Sequence, residues 1–370
     1  MNILLVTMEM QIGGAETHIF ELARELKRRN HNVYVMSAGG RYAEMLEKIG
    51  ISHIFAPLKD KHPKNMLKSY KLIEKVINEK QIDIVHAHAR IPAFIASKAC
   101  KKMHIPFVTT SHGIYRVNFI LKILTNWGQK TLAVSEDIKK EIMADYKVKE
   151  KNIKVTVNGI NTTTFCKTNS DEIRTNLGID NEKFHIIHVS RLDKESSNIA
   201  EMLIKIFDKV KKETSGNVQL IIVGDGDNYK NVKLLAGKEH DIVMTGLRTD
   251  VSEILKCSDL FVGVSRAALE AMSCELPIIL AGNKAYAQGF IGVFDKEKKE
   301  QAIATNFCCR DCEDVTEEKL FEAIMKVYNM SFEEKKRLGE YGRNIVKAHY
   351  SIDKMVDDAE EIYKECVGGK

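Results

Sequence analysis

Val262-Gly263-Val264-Ser265-Arg266-Ala267-Ala268-Leu269-Glu270-Ala271-Met272, continued by Ser273-Cys274-Glu275-Leu276-Pro277, is the stretch on which the fold of this chain turns. The apolar run Leu260 to Val262 stops at a glycine. A helix-forming run, Ala267 to Met272, begins after Ser265, a residue type suited to an N-cap. A strand, a tight loop and a helix start are expected. Such a junction exposes backbone N–H groups at the positive end of a helix, and Arg266 adds a full charge beside them. Ser265, Arg266 and Ala267 are therefore candidate phosphate contacts. Glu270 lies about a turn further in, where a carboxylate can accept hydrogen bonds from sugar hydroxyls. Phosphate and sugar contacts together suggest a nucleotide-sugar, although an ordinary α/β junction with a solvated Arg and Glu has the same pattern.

Working outward, 370 residues are comfortable as two domains, and 44% hydrophobic with 29% charged residues fits a water-soluble globular chain. Met1 to Thr7 is too short an apolar run for a signal peptide, and no run approaches transmembrane length, so a cytoplasmic location is expected. The eight cysteines read as reduced thiols. Cys308-Cys309-Arg310-Asp311-Cys312 holds a C-x-x-C but has no second pair at zinc-finger spacing. A net charge of +5, spread along the chain, argues against nucleic acid and is compatible with peripheral contact to an anionic membrane face.

The amino-terminal half alternates strands and helices: Ile3 to Val6, then Thr17 to Arg29 after Gly13-Gly14-Ala15-Glu16; Asn32 to Ser37, then Tyr42 to Lys48; Ile51 to Ala56, then Asn65 to Asn78. Alternation of this kind predicts a parallel sheet covered on both faces. In the last of these helices Met66, Tyr70, Ile73 and Ile77 form an apolar stripe opposite Lys64, Lys68, Lys71 and Lys75, a lysine face compatible with anionic lipid. Asp83 to His88 and Val108 to Gly113 are strands that end near His88 and His112, at the sheet edge where open α/β folds bind ligands.

The carboxyl-terminal half repeats the plan. Phe184 to Val189 leads into Ser190-Arg191-Leu192-Asp193-Lys194. Leu220 to Val223 ends in Gly224-Asp225-Gly226-Asp227, and Ile242 to Thr245 ends in Gly246-Leu247, whose backbone can meet a base. Amphipathic helices follow at Thr316 to Met330, Ser331 to Ala348 and Ile352 to Cys366.

Leu269-Glu270-Ala271-Met272-Ser273-Cys274-Glu275-Leu276-Pro277 resembles the L-E-A-M-A-x-G-x-P segment of glycosyltransferase family 4. Gly13-Gly14-Ala15-Glu16, Thr109-Thr110-Ser111-His112-Gly113 and Asn158-Gly159-Ile160-Asn161 also match that family's motifs. The resemblance covers most of the chain. It departs at Val262, which stands where the family often has a first Glu eight positions before Glu270, and at Ser196, where the family's second cation follows Arg191 by five.

What the resemblance implies is the GT-B fold: two Rossmann-like, doubly wound parallel-sheet domains facing across a cleft. The acceptor domain would span 1–167 plus a crossover helix at 350–370, and the donor domain 168–349. It further implies a transferase moving sugar from a nucleoside-diphosphate sugar to a cell-envelope saccharide or lipid-linked acceptor, retaining and free of metal or other cofactor. His112, Arg191, Lys194 and Glu270 are the candidate catalytic residues. Gly13, Gly14, Gly246, Leu247, Ser265, Arg266 and Ala267 join Arg191, Lys194 and Glu270 on the donor, and His88 with His112 lies on the acceptor side. A nucleotide-sugar epimerase on the same fold, and a noncatalytic nucleotide-sugar-binding subunit, remain alternatives.

Overall fold

The computed structural model describes residues 1–11, 13–114, 119–168 and 175–368. Residues 169–171 of the expected domain boundary, and 369 and 370 of the expected crossover helix, lie outside the described residues. The chain forms two compact units, Met1–Gly159 with Ile352–Lys370, and Ile160–Ser351.

In the first unit the elements are β1 (Asn2–Val6), α1 (Gly14–Arg28), β2 (Asn32–Ser37), α2 (Arg41–Lys48), β3 (Ser52–Phe55), α3 (Pro63–Glu79) and β4 (Ile84–Ala87). They continue with α4 (Arg90–Met103), β5 (Phe107–Ser111), α5 (Phe119–Leu124), β6 (Lys130–Ala133), α6 (Glu136–Tyr146) and β7 (Ile153–Val155). All strand pairings are parallel, in the order β3-β2-β1-β4-β5-β6-β7. β1 is apolar from Ile3 to Val6 because both its faces are covered. Ile3 and Leu5 pack with Ile19, Leu22 and Leu26 of α1, while Leu4 and Val6 pack with Ile73, Val76 and Ile77 of α3. Lys64, Lys68, Lys71 and Lys75 of α3 are exposed. The last helix, Ile352–Gly368, belongs to this unit: Met355, Val356, Ala359, Ile362 and Tyr363 are buried in the α1 side of the core.

The second unit runs β8 (Phe184–Val189), α7 (Asn198–Glu213), β9 (Val218–Val223), α8 (Tyr229–Ala236), β10 (Ile242–Gly246), α9 (Val251–Lys256), β11 (Leu260–Gly263) and α10 (Ser265–Ser273). Then come β12 (Ile278–Ala281), β13 (Phe290–Val293), α11 (Lys299–Ala304), α12 (Glu317–Tyr328) and α13 (Phe332–His349), which makes Ile352–Gly368 helix α14. The sheet order is β10-β9-β8-β11-β12-β13, parallel except for antiparallel β13 at the edge. In each sheet the strand order reverses beside the first strand, at β1/β4 and at β8/β11. Ligands of doubly wound folds bind outside the carboxyl ends of the strands at such a switch point. None of the described helices is long and apolar enough to cross a membrane.

Candidate active site

At the β8/β11 switch point, β11 runs to Gly263 and α10 begins at Ser265, so a single residue, Val264, joins them and is the N-cap. Two expectations change here. Ser265 is not the cap; it is the first helical residue, in the left-handed region at φ 59°, with its N–H donated to the Phe307 carbonyl at 2.8 Å. Val262 is a fully buried strand residue in the core, so no substituted side chain faces a ligand there. The junction is too short to hold a loop with a second carboxylate.

Arg266 and Glu270 are four residues apart and share one helix face. Arg266 Nε donates to Glu270 Oε1 at 2.9 Å, with the two residues 6% and 9% exposed. Arg266 Nη1 is buried with no hydrogen-bond partner among the described residues. An unpaired buried donor costs about 1–3 kcal/mol, so the site favours an acceptor such as a phosphate oxygen.

The loops after the neighbouring strands are tied to one another. The Leu192 N–H donates to Asp225 O, that of Asn228 to Leu192 O, and that of Gly224 to Gly246 O. Asp225 accepts the Gly226 N–H at 2.8 Å and Asp227 the Lys194 N–H at 3.0 Å, so both carboxylates stitch the loop. A Cβ on Gly224, at φ 147°, would lie 1.9 Å from the Ser190 carbonyl oxygen, so only glycine allows this close approach. The Asn283 amide reaches the Glu195 carbonyl from the loop after β12. On this platform the Arg191 and Lys194 side chains are exposed, Arg191 3.8 Å from Asp193. Gly246 is half-buried and Leu247 exposed beside them. His188, at the end of β8, spans β8 and β11 through Val262 O and Ser190 Oγ, each at 2.8 Å. Burial lowers its pKa to about 4, so it is a neutral strut.

α10 is clamped from behind. Arg343 of α13 meets the Ser273 and Phe165 carbonyls at the helix carboxyl end, where a cation is favoured, and its Nε lies 3.6 Å from Glu275. Gly339 lets α13 approach so closely that a Cβ there would stand 2.0 Å from the Glu275 carbonyl oxygen. Gly339→Ala is therefore expected to destabilise the second unit by about 1–3 kcal/mol. Urea denaturation should show it as a lower midpoint at unchanged m-value.

At the β1/β4 switch point of the first unit, Gly13 is the extended N-cap of α1 and Gly14 its first residue. A Cβ on Gly14 would face open space, with no described atom within 4 Å apart from its chain neighbours and its own helix backbone. The helix thus starts three residues before the expected Thr17. His88 and His112 follow β4 and β5 directly and meet, Nδ1 to Nε2, at 3.1 Å. His18 of α1 joins them, its ring 4.7 Å from that of His112 and edge-on to it. Asn158 Oδ1 lies 3.2 Å from His18 Nδ1. Behind them His86 is fixed by Tyr363 Oη at 2.6 Å and Thr110 Oγ1 at 2.7 Å. Burial, then the neighbouring His112, lowers the His86 pKa to about 3. Burial and the surrounding imidazoles hold His88 well below its ordinary value. His86 and His88 are thus neutral near pH 7.

His18, His86, His188, Asn158, Tyr363 and Arg343 were not legible as site residues. His86 and His188 carry the one available signal, a histidine in the last strand turn. His18 sits mid-helix with nothing local to mark it.

The family model Glycosyltransferase Family 4 matches residues 12–164, and Glycosyl transferases group 1 matches residues 183–308. N-acetyl-alpha-D-glucosaminyl L-malate synthase of Bacillus anthracis is 24% identical over 301 residues, covering 74% of this chain and 77% of that one. UDP-Gal:alpha-D-GlcNAc-diphosphoundecaprenol alpha-1,3-galactosyltransferase of Escherichia coli is 24% identical over 339 residues, covering 84% and 81%. The solved structure of Anabaena Alr3699/HepE in complex with UDP-glucose superposes with a TM-score of 0.77 at 18% identity, covering 98% and 99% of the two chains.

Proposed function

The chain is a glycosyltransferase of the family 4 type with the GT-B fold, and on that premise we propose that it transfers a sugar from a UDP-linked donor to a saccharide or lipid-linked acceptor, with retention and without a metal. The observation that carries the donor half of this reading is the buried Arg266–Glu270 pair at the start of α10, with Arg266 Nη1 lacking a hydrogen-bond partner among the described residues. The diphosphate is held by Arg266, the α10 amides that follow Ser265, whose own N–H is taken by Phe307, and the exposed side chains of Arg191 and Lys194. Glu270 takes hydroxyls of the sugar or ribose, and the Gly246–Leu247 backbone meets the base. UDP is chosen because the Anabaena structure holds UDP-glucose and the Escherichia coli relative is named as a UDP-Gal enzyme acting on a diphosphoundecaprenol acceptor.

In the reaction the bond from the anomeric carbon to the diphosphate oxygen breaks while the acceptor hydroxyl approaches the same face. The departing oxygen takes the acceptor's proton, and the sugar passes through an oxocarbenium-like state. Negative charge grows on the diphosphate as it leaves. Fixed cations and helix amides stabilise that charge more than the bound ground state, which is what lowers the barrier. The guanidinium and ammonium groups supply this role in place of a metal ion. His112 is assigned to the reacting sugar, and Gly13 and Gly14 leave room for substrate.

A thermal-shift screen of UDP-, GDP- and ADP-sugars tests the reading. A UDP-sugar at one hundred times its Kd is expected to stabilise the protein by about 2.7 kcal/mol. Product analysis should then show the donor consumed in favour of an acceptor product. Stabilisation by no nucleotide-sugar, or conversion of the donor into a free epimer without acceptor, would overturn it.

A further inference from the structure

We propose that His18, His88 and His112 form a binding site for a divalent transition metal of the zinc type. One ring nitrogen from each lies within 4.8 Å of the others, on three different elements of the first unit. His88 Nδ1 and His112 Nε2 face each other at 3.1 Å. Two nitrogens on one tetrahedral zinc, at bonds of about 2.0–2.1 Å, stand about 3.4 Å apart. That pair is already close to the required spacing.

The surroundings suit an ion of this kind. Imidazole is a preferred donor for zinc, copper and nickel, and ligating histidines generally donate their second nitrogen to an oxygen that orients the ring. Asn158 Oδ1 stands in that position for His18 Nδ1. His86, itself fixed by Tyr363 and Thr110, packs its ring 4.1 Å from that of His88. His88 Nε2 is buried with no hydrogen-bond partner among the described residues, so no hydrogen bond from them fixes that side of the ring.

An ion seated here takes the lone pair of His112, so it opposes sugar transfer. That consequence rests on the transferase reading; the binding itself does not.

The test is isothermal titration of the purified full chain with Zn²⁺, in the absence of nucleotide and acceptor, paired with Co²⁺ absorption spectra. One ion per chain is expected, with visible d–d bands and no thiolate charge-transfer band in the near ultraviolet. His18→Ala and His88→Ala should each weaken binding at least tenfold. His104→Ala, at an exposed histidine of the same unit, should leave it unchanged. Circular dichroism checks folding. Where a ligand variant does not fold, Asn158→Ala decides, with an expected loss of about tenfold from the lost orienting contact. No binding, binding unaffected by His18→Ala or Asn158→Ala, or a thiolate band pointing to Cys308, Cys309 and Cys312 would overturn the site. Zinc binding without any nucleotide-sugar response would leave this site standing and end the transferase reading alone.

Discussion

Arg266→Ala should lower the stability of the second unit by about 3–5 kcal/mol and abolish the response to nucleotide-sugar. The first effect follows from burial. Arg266 and Glu270 are 6% and 9% exposed and joined at 2.9 Å, so removing the guanidinium takes the ion-pair partner from a buried carboxylate. The second follows from the unpartnered Nη1, which is the donor placed to meet a phosphate oxygen. The two effects are separable. The double variant Arg266→Met with Glu270→Leu removes both charges while keeping apolar volume, and it should recover most of the stability without recovering donor binding. Chemical denaturation measures the first quantity and thermal shift with UDP the second. A folded Arg266→Ala protein that still binds UDP as tightly as the parent would remove α10 from the donor site.

His112→Ala is expected to reduce turnover by about 10²–10³-fold while leaving the donor affinity near that of the parent. The proposed diphosphate contacts are Arg266, Arg191, Lys194 and the α10 amides, and His112 is not among them, so its removal is expected to spare nucleotide binding. A contact that strengthens only in the transition state lowers kcat and kcat/KM together. UDP release from a UDP-sugar in the absence of acceptor gives a readout before the acceptor is known. Undiminished release, or a loss confined to donor KM, would place His112 outside the chemistry. His112→Gln retains a hydrogen-bond donor and should recover part of the rate.

Much of the architecture was legible because it is encoded locally. Continuous apolar runs such as Ile3 to Val6 mark strands buried on both faces, and 3.6-residue periodicity marks the helices between them. The observed β2 is Asn32–Ser37 and the observed α3 is Pro63–Glu79, against an expected Asn65 to Asn78. Histidines placed at strand ends were legible as edge residues for the same reason. Val262 stands where the family often has a first Glu, and its place in a motif does not tell where its side chain lies. The strand in fact runs one residue past it, which puts the side chain in the core.

The strand-turn-helix at 260–272, the parallel sheets and the apolar stripes were thus determined by the sequence alone, since each depends on residues within a few positions of one another. Only the tertiary structure decided that His18 joins His88 and His112, that Tyr363 orients His86 across 277 residues, and that Gly339 admits α13 against the end of α10. Those contacts depend on sheet order and on how closely helices approach. Both are settled by packing between elements distant in the chain, for which no local pattern carries a signal.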